Sequence, residues 1–367
     1  MNNLNRKIEQ QNRDVTLLLM PVVAVLGKII QIFFLPEKYF FDSTRMLGML
    51  LKSKNAMTAW EGYETTVDIF RKVDFFHFTS IQQWSITLGI IFTILFIIIV
   101  SQVKYMSMSE AIFTLMATGL MNIYAFNLAK EPIQLIYFTF ILIIIMLPID
   151  NIYIKIAGCC LVYLWEASTF RSYYIMMAAM SFIFFIIFSR LRRNIKKIVA
   201  QKIIFIILLC FLSIFAMIFL GQYIDNDLYI QAIEIKDTVS NEHANTAINN
   251  FVPVQGNFGN FMINYVINAV RMCIPLELLI KSPVYAPFVI YQFFILFYVI
   301  RALKNIKQSN DKVLLALCTF LAYVFGSIVF EPDFGSWVRH EAASFPIFYI
   351  LAYEDLAEKD RKLMEGK

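Results

Sequence analysis

The sequence has few charged residues for its length. Only 16% of its 367 residues are Asp, Glu, Lys or Arg, whereas 59% are hydrophobic, and the mean hydropathy is +0.65. A soluble domain of this length does not need so much apolar surface. The alternation of polar and apolar residues that marks an outer-membrane barrel is also absent. The composition therefore predicts an all-α polytopic membrane protein.

The sequence also lacks the motifs of nucleotide-dependent and zinc-dependent enzymes. It contains no glycine-rich phosphate loop, no serine nucleophile elbow and no His/Cys cluster with zinc spacing. The cysteines are odd in number, lie mostly in hydrophobic segments, and are interpreted as apolar fillers: Cys159, Cys160, Cys210, Cys273 and Cys318. The predicted cytoplasmic loops are too short for a nucleotide-binding domain. An activated substrate must therefore arrive already energised.

Apolar runs long enough to cross a bilayer core of ~30 Å recur along the chain. Ten spans are predicted, at 15–35, 82–101, 109–127, 132–149, 153–168, 172–189, 203–221, 283–300, 313–330 and 341–353. The first lacks a small-residue cleavage site and is typical of a signal anchor. The predicted organisation is a cytoplasmic N-terminus at 1–14, a single transmembrane domain at 15–353 and a cytoplasmic tail at 354–367.

The distribution of Lys and Arg predicts the orientation of these spans. Basic residues concentrate at 190–202, at 301–312 and in the C-terminal tail, which places these segments in the cytoplasm. Counting back puts the N-terminus inside as well. The two long outer loops are then 36–81 and 222–282, and both are predicted to carry interfacial helices. Within the second, 259–280 is predicted to be an interfacial or re-entrant helix rather than a full crossing.

The unusual ionisable residues then fall on the outer side, close to span ends. They are Asp42, Arg45, Lys130, Glu131, Glu166, Arg171 and Arg271, together with the segment EPDFGSWVRH, which contains Glu331, Asp333, Trp337, Arg339 and His340. Ordinary loop charges that snorkel or pair locally are the alternative interpretation. A one-sided set of both signs instead predicts a site at the outer membrane surface.

The residue types in this set suit chemistry on an anionic diphosphate. Arg171 and Arg339 carry planar forks that grip phosphate and stabilise the charge on a leaving group. His340 can take a proton from an attacking hydroxyl near neutral pH. Asp333 or Glu331 would orient its imidazole or bind sugar hydroxyls. Nearby aromatic residues such as Trp337 suit stacking on sugar rings, although interfacial aromatics commonly act as anchors.

Four segments carry a family resemblance: YFFDS, NLAKE, STFRSYY and EPDFGSWVRHEAASFPI. They resemble the extracytoplasmic motifs of bacterial polysaccharide repeat-unit polymerases, the Wzy-like and EpsG-like membrane glycosyltransferases. The resemblance implies a GT-C-like enzyme that joins undecaprenyl-diphosphate-linked oligosaccharide units outside the cytoplasmic membrane, in capsule, exopolysaccharide or O-antigen-type biosynthesis. It implies that Arg171 and Arg339 bind the diphosphate and that His340 is the base.

The implied partners are a lipid-linked donor and acceptor, membrane lipids, a flippase and a chain-length regulator, and no nucleic acid. No cofactor is expected. A divalent cation stays open, because Asp42 also resembles the acidic residue of metal-dependent polyprenyl-phosphate-sugar transferases. Such a site requires Asp42 to converge with Glu131 or Asp333. The alternatives are a single-sugar transferase, a polysaccharide ligase, a flippase for lipid-linked oligosaccharide and a structural subunit. Few charges inside the spans and no visible repeat weigh against transport.

Overall fold

A computed structural model describes residues 3–52, 62–194, 246–253, 258–307, 309–331 and 333–353. Within these ranges the regular structure is helical, and the only strand-like pairing is an isolated bridge between Ala247 and Asp333. Among the residues that the structure describes, five helices are long and apolar enough to cross a membrane: Leu4–Phe34, Ile81–Ser101, Tyr174–Arg192, Pro283–Lys304 and Asp311–Phe330. At this level the prediction of a helical membrane protein is confirmed.

These five helices coincide with five of the ten predicted spans. The predicted spans at 132–149 and 153–168 also contain helices, but these are not among the five. The span at 109–127 is interrupted by a π-helix at Met121–Ala125, and the one at 341–353 by a turn at Ser344. The span at 203–221 lies outside the described residues. Ten crossings therefore stay a prediction.

The chain divides into two compact units whose segments alternate along the sequence. Unit 1 comprises Met1–Ile143, Trp165–Ser172 and Ala342–Lys367, and unit 2 comprises Ile144–Leu164 and Tyr173–Glu341. The helices, in chain order, are α1 (Asn3–Phe33), α2 (Phe41–Leu50), α3 (Tyr63–Val73), α4 (Ile81–Ser101), α5 (Met108–Leu120), α6 (Glu131–Met146), α7 (Ile152–Thr169), α8 (Tyr174–Asn194), α9 (Phe258–Cys273), α10 (Leu276–Lys281), α11 (Ala286–Lys304), α12 (Asp311–Phe330) and α13 (Phe334–Ala343).

The described parts of both predicted outer loops include helices. Helices α2 and α3 fill much of 36–81, and α3 buries one face through Tyr63, Val67 and Phe70. The helix predicted at 259–280 is present as α9 and α10, which are separated at Pro275 because proline has no amide hydrogen to continue the first helix. The rest of 222–282 lies mostly outside the described residues.

Local sequence explains where two of the unit 1 helices begin. Ser80 and Gln83 form a reciprocal capping box at the start of α4. Ser107 and Glu110 form a second one at the start of α5. In each, the serine side chain accepts from a helix amide and the Gln or Glu side chain accepts from the serine amide, so two otherwise unpaired donors are satisfied.

Helix α1 runs antiparallel to α4 and parallel to α5. Near its start, Glu9 O accepts from Met106 N at 3.1 Å, and Arg13 Nε donates to Val103 O at 3.0 Å. These partners lie in the connection between α4 and α5. Near its end, α1 approaches α5 so closely that a Cβ on Gly27 would lie 3.1 Å from the Asn122 Cβ. The direction of the first three predicted spans is therefore alternating.

In unit 2, α8 and α12 pack antiparallel over their whole length. Tyr173, just before α8, stacks on Phe330 at the end of α12, with 4.4 Å between ring centroids. At the opposite end, Arg192 pairs with Asp311 at 2.5 Å. The basic end of α8 thus lies with the beginning of α12, and segment 331–340 follows from the other end. This arrangement agrees with the predicted alternation of these two spans.

Candidate functional site

The twelve predicted site residues separate into one group in each unit. Unit 1 contains six of them: Asp42, Arg45, Lys130, Glu131, Glu166 and Arg171. Unit 2 contains the other six: Arg271, Glu331, Asp333, Trp337, Arg339 and His340. Each group is built from several elements, and each has its own chemistry.

The centre of the unit 2 group is a buried pair formed by Glu331 and His340. Glu331 ends α12 in an extended conformation, and His340 lies two turns into α13. The Nδ1 atom of His340 is 2.7 Å from Glu331 Oε1, and both side chains are less than a tenth exposed. An ionised carboxylate only accepts hydrogen bonds, so Nδ1 carries the proton and Nε2 is the basic nitrogen of the neutral ring. This pair can accept a proton.

Asp333 makes different contacts from those of Glu331. Its Oδ1 accepts from Ser336 N at 2.9 Å, and its Oδ2 accepts from the Ser336 hydroxyl at 2.9 Å. Thr246 adds a hydroxyl donor at 3.3 Å. These are the contacts of a residue that caps the N-terminus of α13. Of the two carboxylates predicted to orient the imidazole, the structure assigns that contact to Glu331.

Arg271 is held by a bidentate ion pair. Its Nε and Nη2 donate to the two carboxylate oxygens of Glu277, both at 2.8 Å, and Nη1 donates to Asn249 O at 2.8 Å. The fork predicted to bind substrate is therefore matched to a carboxylate of the same unit. The pair joins α9 to α10 across the break at Pro275, and its described contacts are structural.

Trp337 and Arg339 lie on α13 in contrasting settings. The Trp337 side chain is completely buried, so in this conformation its ring has no face on which a sugar can stack. Arg339 is partly exposed. Adjacent residues on a helix point about 100° apart, so Arg339 and His340 leave different faces of α13.

Sequence analysis missed Glu341, the residue after His340. Its carboxyl is buried, and Gln292 Nε2 donates to Oε1 at 3.3 Å. The charged triplet RHE was visible in the sequence, but which of its members are buried depends on packing against α11.

The unit 1 group surrounds Tyr63, the first residue of α3. The Tyr63 hydroxyl donates to Asp42 Oδ1 at 2.5 Å. Lys130 Nζ lies 4.3 Å from the ring centroid, and Arg45 Cζ lies 5.4 Å from it, both within the range of cation–π attraction. Asp42, Arg45 and Lys130 are all partly exposed. Tyr63, which was not among the predicted site residues, therefore connects three of them.

Arg171 lies next to the same cluster through Gly62. A Cβ on Gly62 would be 3.7 Å from Arg171 Cγ and 3.0 Å from Phe170 O. The Arg171 side chain is 6% exposed, with Cζ 5.2 Å from the Phe170 ring centroid. We name Asp42, Arg45, Tyr63, Lys130 and Arg171 the Tyr63 cluster. Its three cations, Arg45, Lys130 and Arg171, are groups of the kind that bind anions.

Glu131 and Glu166 are the two predicted site residues that unit 1 buries most completely. Glu131 is 1% exposed and begins α6, and Glu166 is fully buried near the end of α7. Tyr137 and Thr169, on the same two helices, share a hydrogen bond of 2.6 Å between their hydroxyls. Buried carboxyls of this kind are typical of packing within a cation cluster rather than of direct contact with solvent-borne sugar hydroxyls.

The third residue that sequence analysis missed is Lys28 in α1. It lies inside the candidate span Leu4–Phe34, where its Nζ contacts Gln31 Oε1, Ser85 Oγ, Phe126 O and Asn127 Oδ1 at 2.9, 3.0, 2.7 and 3.2 Å. In the sequence, Lys28 is visible as a single lysine within an apolar run. It was overlooked because a lysine near a helix end ordinarily snorkels to the interface.

Among the residues that the structure describes, no three His, Cys, Asp or Glu side chains converge as metal ligands would. Asp42 and Glu131 belong to unit 1, and Asp333 caps α13 in unit 2. Comparison with known proteins found no matching family model, no matching curated protein and no matching solved structure.

Proposed function

We propose that the chain is a membrane glycosyltransferase that polymerises undecaprenyl-diphosphate-linked oligosaccharide units at the outer face of the bacterial cytoplasmic membrane, with both termini in the cytoplasm. The product would be a capsule, exopolysaccharide or O-antigen-type polymer. The observation that carries this proposal is the buried contact between Glu331 and His340. It supplies an oriented base in a segment that also carries Arg339.

In the proposed step, a hydroxyl oxygen of the acceptor sugar attacks the anomeric carbon of the donor. The new C–O glycosidic bond forms while the bond from the anomeric carbon to the diphosphate oxygen breaks. His340 Nε2 takes the hydroxyl proton, and the imidazolium that results is stabilised by the Glu331 carboxylate at Nδ1. Undecaprenyl diphosphate leaves with the bonding electron pair. The reaction consumes no further reactant.

Donor and acceptor each carry a diphosphate, so polymerisation needs more than one anion-binding group. The Tyr63 cluster suits this task, because it contains three cations, of which Arg45 and Lys130 are partly exposed. Arg171 and Arg45 offer planar forks, and Lys130 offers a point charge. Arg339 is the corresponding cation in unit 2. Membrane lipids, a flippase and a chain-length regulator would be the partners of such an enzyme.

A flippase for lipid-linked oligosaccharide is the second candidate, and Lys28 is the observation that favours it. Transporters place ionisable groups inside spans and beside broken helices, and Lys28 lies beside the π-helix Met121–Ala125. The catalytic proposal does not require a cation at this position. The two functions differ in where the lipid-linked repeat unit accumulates when the protein fails.

The test is the glycan profile of cells whose only copy carries His340→Ala. Removing a general base costs roughly 10²- to 10⁴-fold in rate. We expect polymer to disappear and single repeat units to accumulate on lipid at the outer face. Accumulation at the inner face would support the flippase instead, and an unchanged profile would remove His340 from the mechanism.

The matched control is His77→Asn. His77 is exposed and has a φ of 51°, a conformation that asparagine tolerates better than alanine does. This variant removes an imidazole from the connection between α3 and α4 without touching the Glu331–His340 pair. Its glycan profile should match that of the unaltered protein.

The proposed orientation has its own test, thiol labelling in a variant whose five native cysteines are replaced. Thr79 is exposed at the start of α4, and Lys104 is exposed after its end. Thr79→Cys should react with an impermeant reagent applied to intact cells, whereas Lys104→Cys should react only after permeabilisation. The reverse pattern would put the Tyr63 cluster on the cytoplasmic side and exclude outer-face polymerisation.

A further inference from the structure

Lys28 makes contacts unlike those of an ordinary interfacial lysine. It is six residues before the end of the candidate span Leu4–Phe34, about 9 Å along the helix axis. A snorkelling side chain would extend toward the head groups. The ammonium of Lys28 instead turns inward, where it meets residues of α1, α4 and the segment after the π-helix.

Four oxygens surround the nitrogen, and all belong to buried residues. They are Gln31 Oε1, Ser85 Oγ, Phe126 O and Asn127 Oδ1, and the residues that provide them are at most 4% exposed. We name these four groups the oxygen cage. No carboxylate in the described part of the chain pairs with Lys28, so the cage is neutral.

The oxygen cage is held together independently of Lys28. Gln31 Nε2 donates to Asn127 Oδ1 at 2.6 Å. The Ser85 hydroxyl lies 2.6 Å from Gln31 Oε1 and 2.9 Å from Asn127 Oδ1, so it can donate to either. Asn127 Nδ2 donates to Ile123 O at 3.3 Å. The oxygens are thus oriented toward one point by their own hydrogen bonds.

The number of hydrogen-bond acceptors at that point favours an ammonium ion over a neutral amine. The carbonyl oxygens of Gln31, Phe126 and Asn127 can only accept hydrogen bonds. Three acceptors match the three hydrogens of an ammonium, whereas a neutral amine has two. A shell of neutral oxygens that includes the carbonyl of an unwound segment is also how membrane proteins hold monovalent cations.

The oxygen cage fixes the most irregular stretch of unit 1. The π-helix Met121–Ala125 is followed by non-helical residues 126–130, after which α6 begins at Glu131. Two of the four cage oxygens belong to this stretch, Phe126 O and Asn127 Oδ1. Three residues later, Lys130 places its ammonium over the Tyr63 ring. The position of the cage therefore determines where the chain enters the Tyr63 cluster.

We propose that the oxygen cage is a monovalent-cation site that the protein's own Lys28 ammonium occupies, and that this tethered cation fixes segment 126–131. The chemical class of its ligand is a primary ammonium. Lys28 is thereby a positioning residue for Lys130. The cation site stands on contacts within unit 1, and only the significance of Lys130 for substrate binding rests on the proposed function.

The experiment restores the cation to a protein that lacks it. Lys28→Ala removes the atoms of a propylammonium group, so n-propylammonium chloride is the matched probe for the full-length purified variant in lipid nanodiscs. We expect the thermal midpoint of Lys28→Ala to rise saturably with n-propylammonium. Tetramethylammonium at the same ionic strength has no N–H donor and should leave it unchanged. The unaltered protein, whose cage is occupied, should respond to neither salt.

Hydrogen exchange provides a local reading. Losing hydrogen bonds to a charged group should lower the protection of amides in 121–131 by roughly 10- to 100-fold in Lys28→Ala. The probe amine should restore that protection. Lys28→Met fills the same space without charge, so it should lose protection and should not respond. Equal protection in all three proteins, or no response of Lys28→Ala to the amine, would overturn the proposal.

A second pair of variants tests the site without removing the lysine. A Cβ on Gly89 would lie 2.4 Å from Lys28 Cε and would displace it, whereas a Cβ on Gly119 would meet Val23 Cγ1 at an ordinary 3.5 Å. Gly89→Ala should therefore lower protection in 121–131, and Gly119→Ala should not. Equal protection in the two variants would contradict the proposal even if Lys28→Ala fails to fold.

These readouts are independent of glycan synthesis. If the amine restores protection but His340→Ala still makes polymer, the cation site stands and the polymerase proposal fails. If His340→Ala loses polymer and the amine restores nothing, the opposite holds.

Discussion

The Glu331–His340 pair and the Tyr63 cluster differ in how far their charged side chains are exposed to solvent. In unit 2, an acid and a base are in direct contact and both are buried. In unit 1, Asp42, Arg45 and Lys130 surround a tyrosine and keep part of their surface exposed. Burial strengthens the attraction between a fixed pair, whereas partial exposure lets a charged ligand enter. Under the proposed function, this difference favours proton transfer in unit 2 and anion binding in unit 1.

Among the variants that distinguish proton transfer from anion binding, Glu331→Gln is expected to have the largest effect. The substitution keeps the shape of the side chain but removes the charge that selects the His340 tautomer and stabilises the imidazolium. We expect the rate of polymerisation in isolated membranes, measured with a lipid-linked repeat unit, to fall roughly 10²- to 10⁴-fold.

The matched control is Asp333→Asn, which changes the neighbouring carboxylate in the same way. Asparagine caps a helix about as well as aspartate, so α13 should still begin at the same place. The rate should stay within a few-fold of the unaltered protein. If Asp333→Asn is inactive and Glu331→Gln is active, the carboxylate that assists His340 is Asp333 and not Glu331.

A smaller effect, on substrate binding, is expected from Arg171→Ala. Losing a charge-assisted contact to phosphate should raise the apparent KM for the lipid-linked substrate roughly 10- to 100-fold, with a smaller change in kcat. Arg171→Lys should recover part of the affinity, because lysine keeps the charge and loses the fork.

Arg71→Ala is the control for Arg171→Ala. Arg71 is an exposed arginine of α3 that pairs with Asp68 at 2.6 Å, one turn earlier on the same helix. Removing it should leave KM unchanged. If Arg71→Ala and Arg171→Ala raise KM equally, the effect is one of overall surface charge, and the Tyr63 cluster is not a specific anion site.

The next effect concerns stability, because the Tyr63 cluster depends on the backbone at Gly62. Gly62 has a φ of 87°, and a Cβ there would lie 3.0 Å from Phe170 O. Gly62→Ala should therefore lower the free energy of unfolding by about 1–2 kcal/mol. Gly48→Ala, on α2 with open space around its Cβ, should be neutral or slightly stabilising. Chemical denaturation of both variants in the same detergent measures the difference.

Helix positions could be predicted from the sequence where a segment has a uniform composition or a single hydrophobic periodicity. Helix α12 is apolar on all sides and buried on all sides, so its limits at Asp311 and Phe330 nearly match the predicted span at 313–330. The antiparallel packing of α8 against α12 also agrees with the direction predicted from basic residues. These features follow from local composition, which one sequence contains.

The sequence could not decide contacts that depend on tertiary packing. Glu331 and Asp333 are both carboxylates close to His340 in the sequence. Because α13 begins at Phe334, Asp333 caps this helix and Glu331 contacts His340. Arg271 could not be matched to Glu277 before the break between α9 and α10 was known. Tyr63 and Lys28 were missed because most of their partners are 18 to 99 residues away in the chain.

The smallest effect is expected at the end of unit 2 opposite segment 331–340. Arg192 and Asp311 are in contact at 2.5 Å, but their side chains are 31% and 49% exposed. Exposed ion pairs contribute about 0–1 kcal/mol and are screened by salt. Asp311→Asn should thus lower the free energy of unfolding by less than about 1 kcal/mol at low salt, and the difference should shrink as salt is added. A larger, salt-insensitive loss would mean that this pair, rather than the apolar contact of α8 with α12, holds the two helices in register.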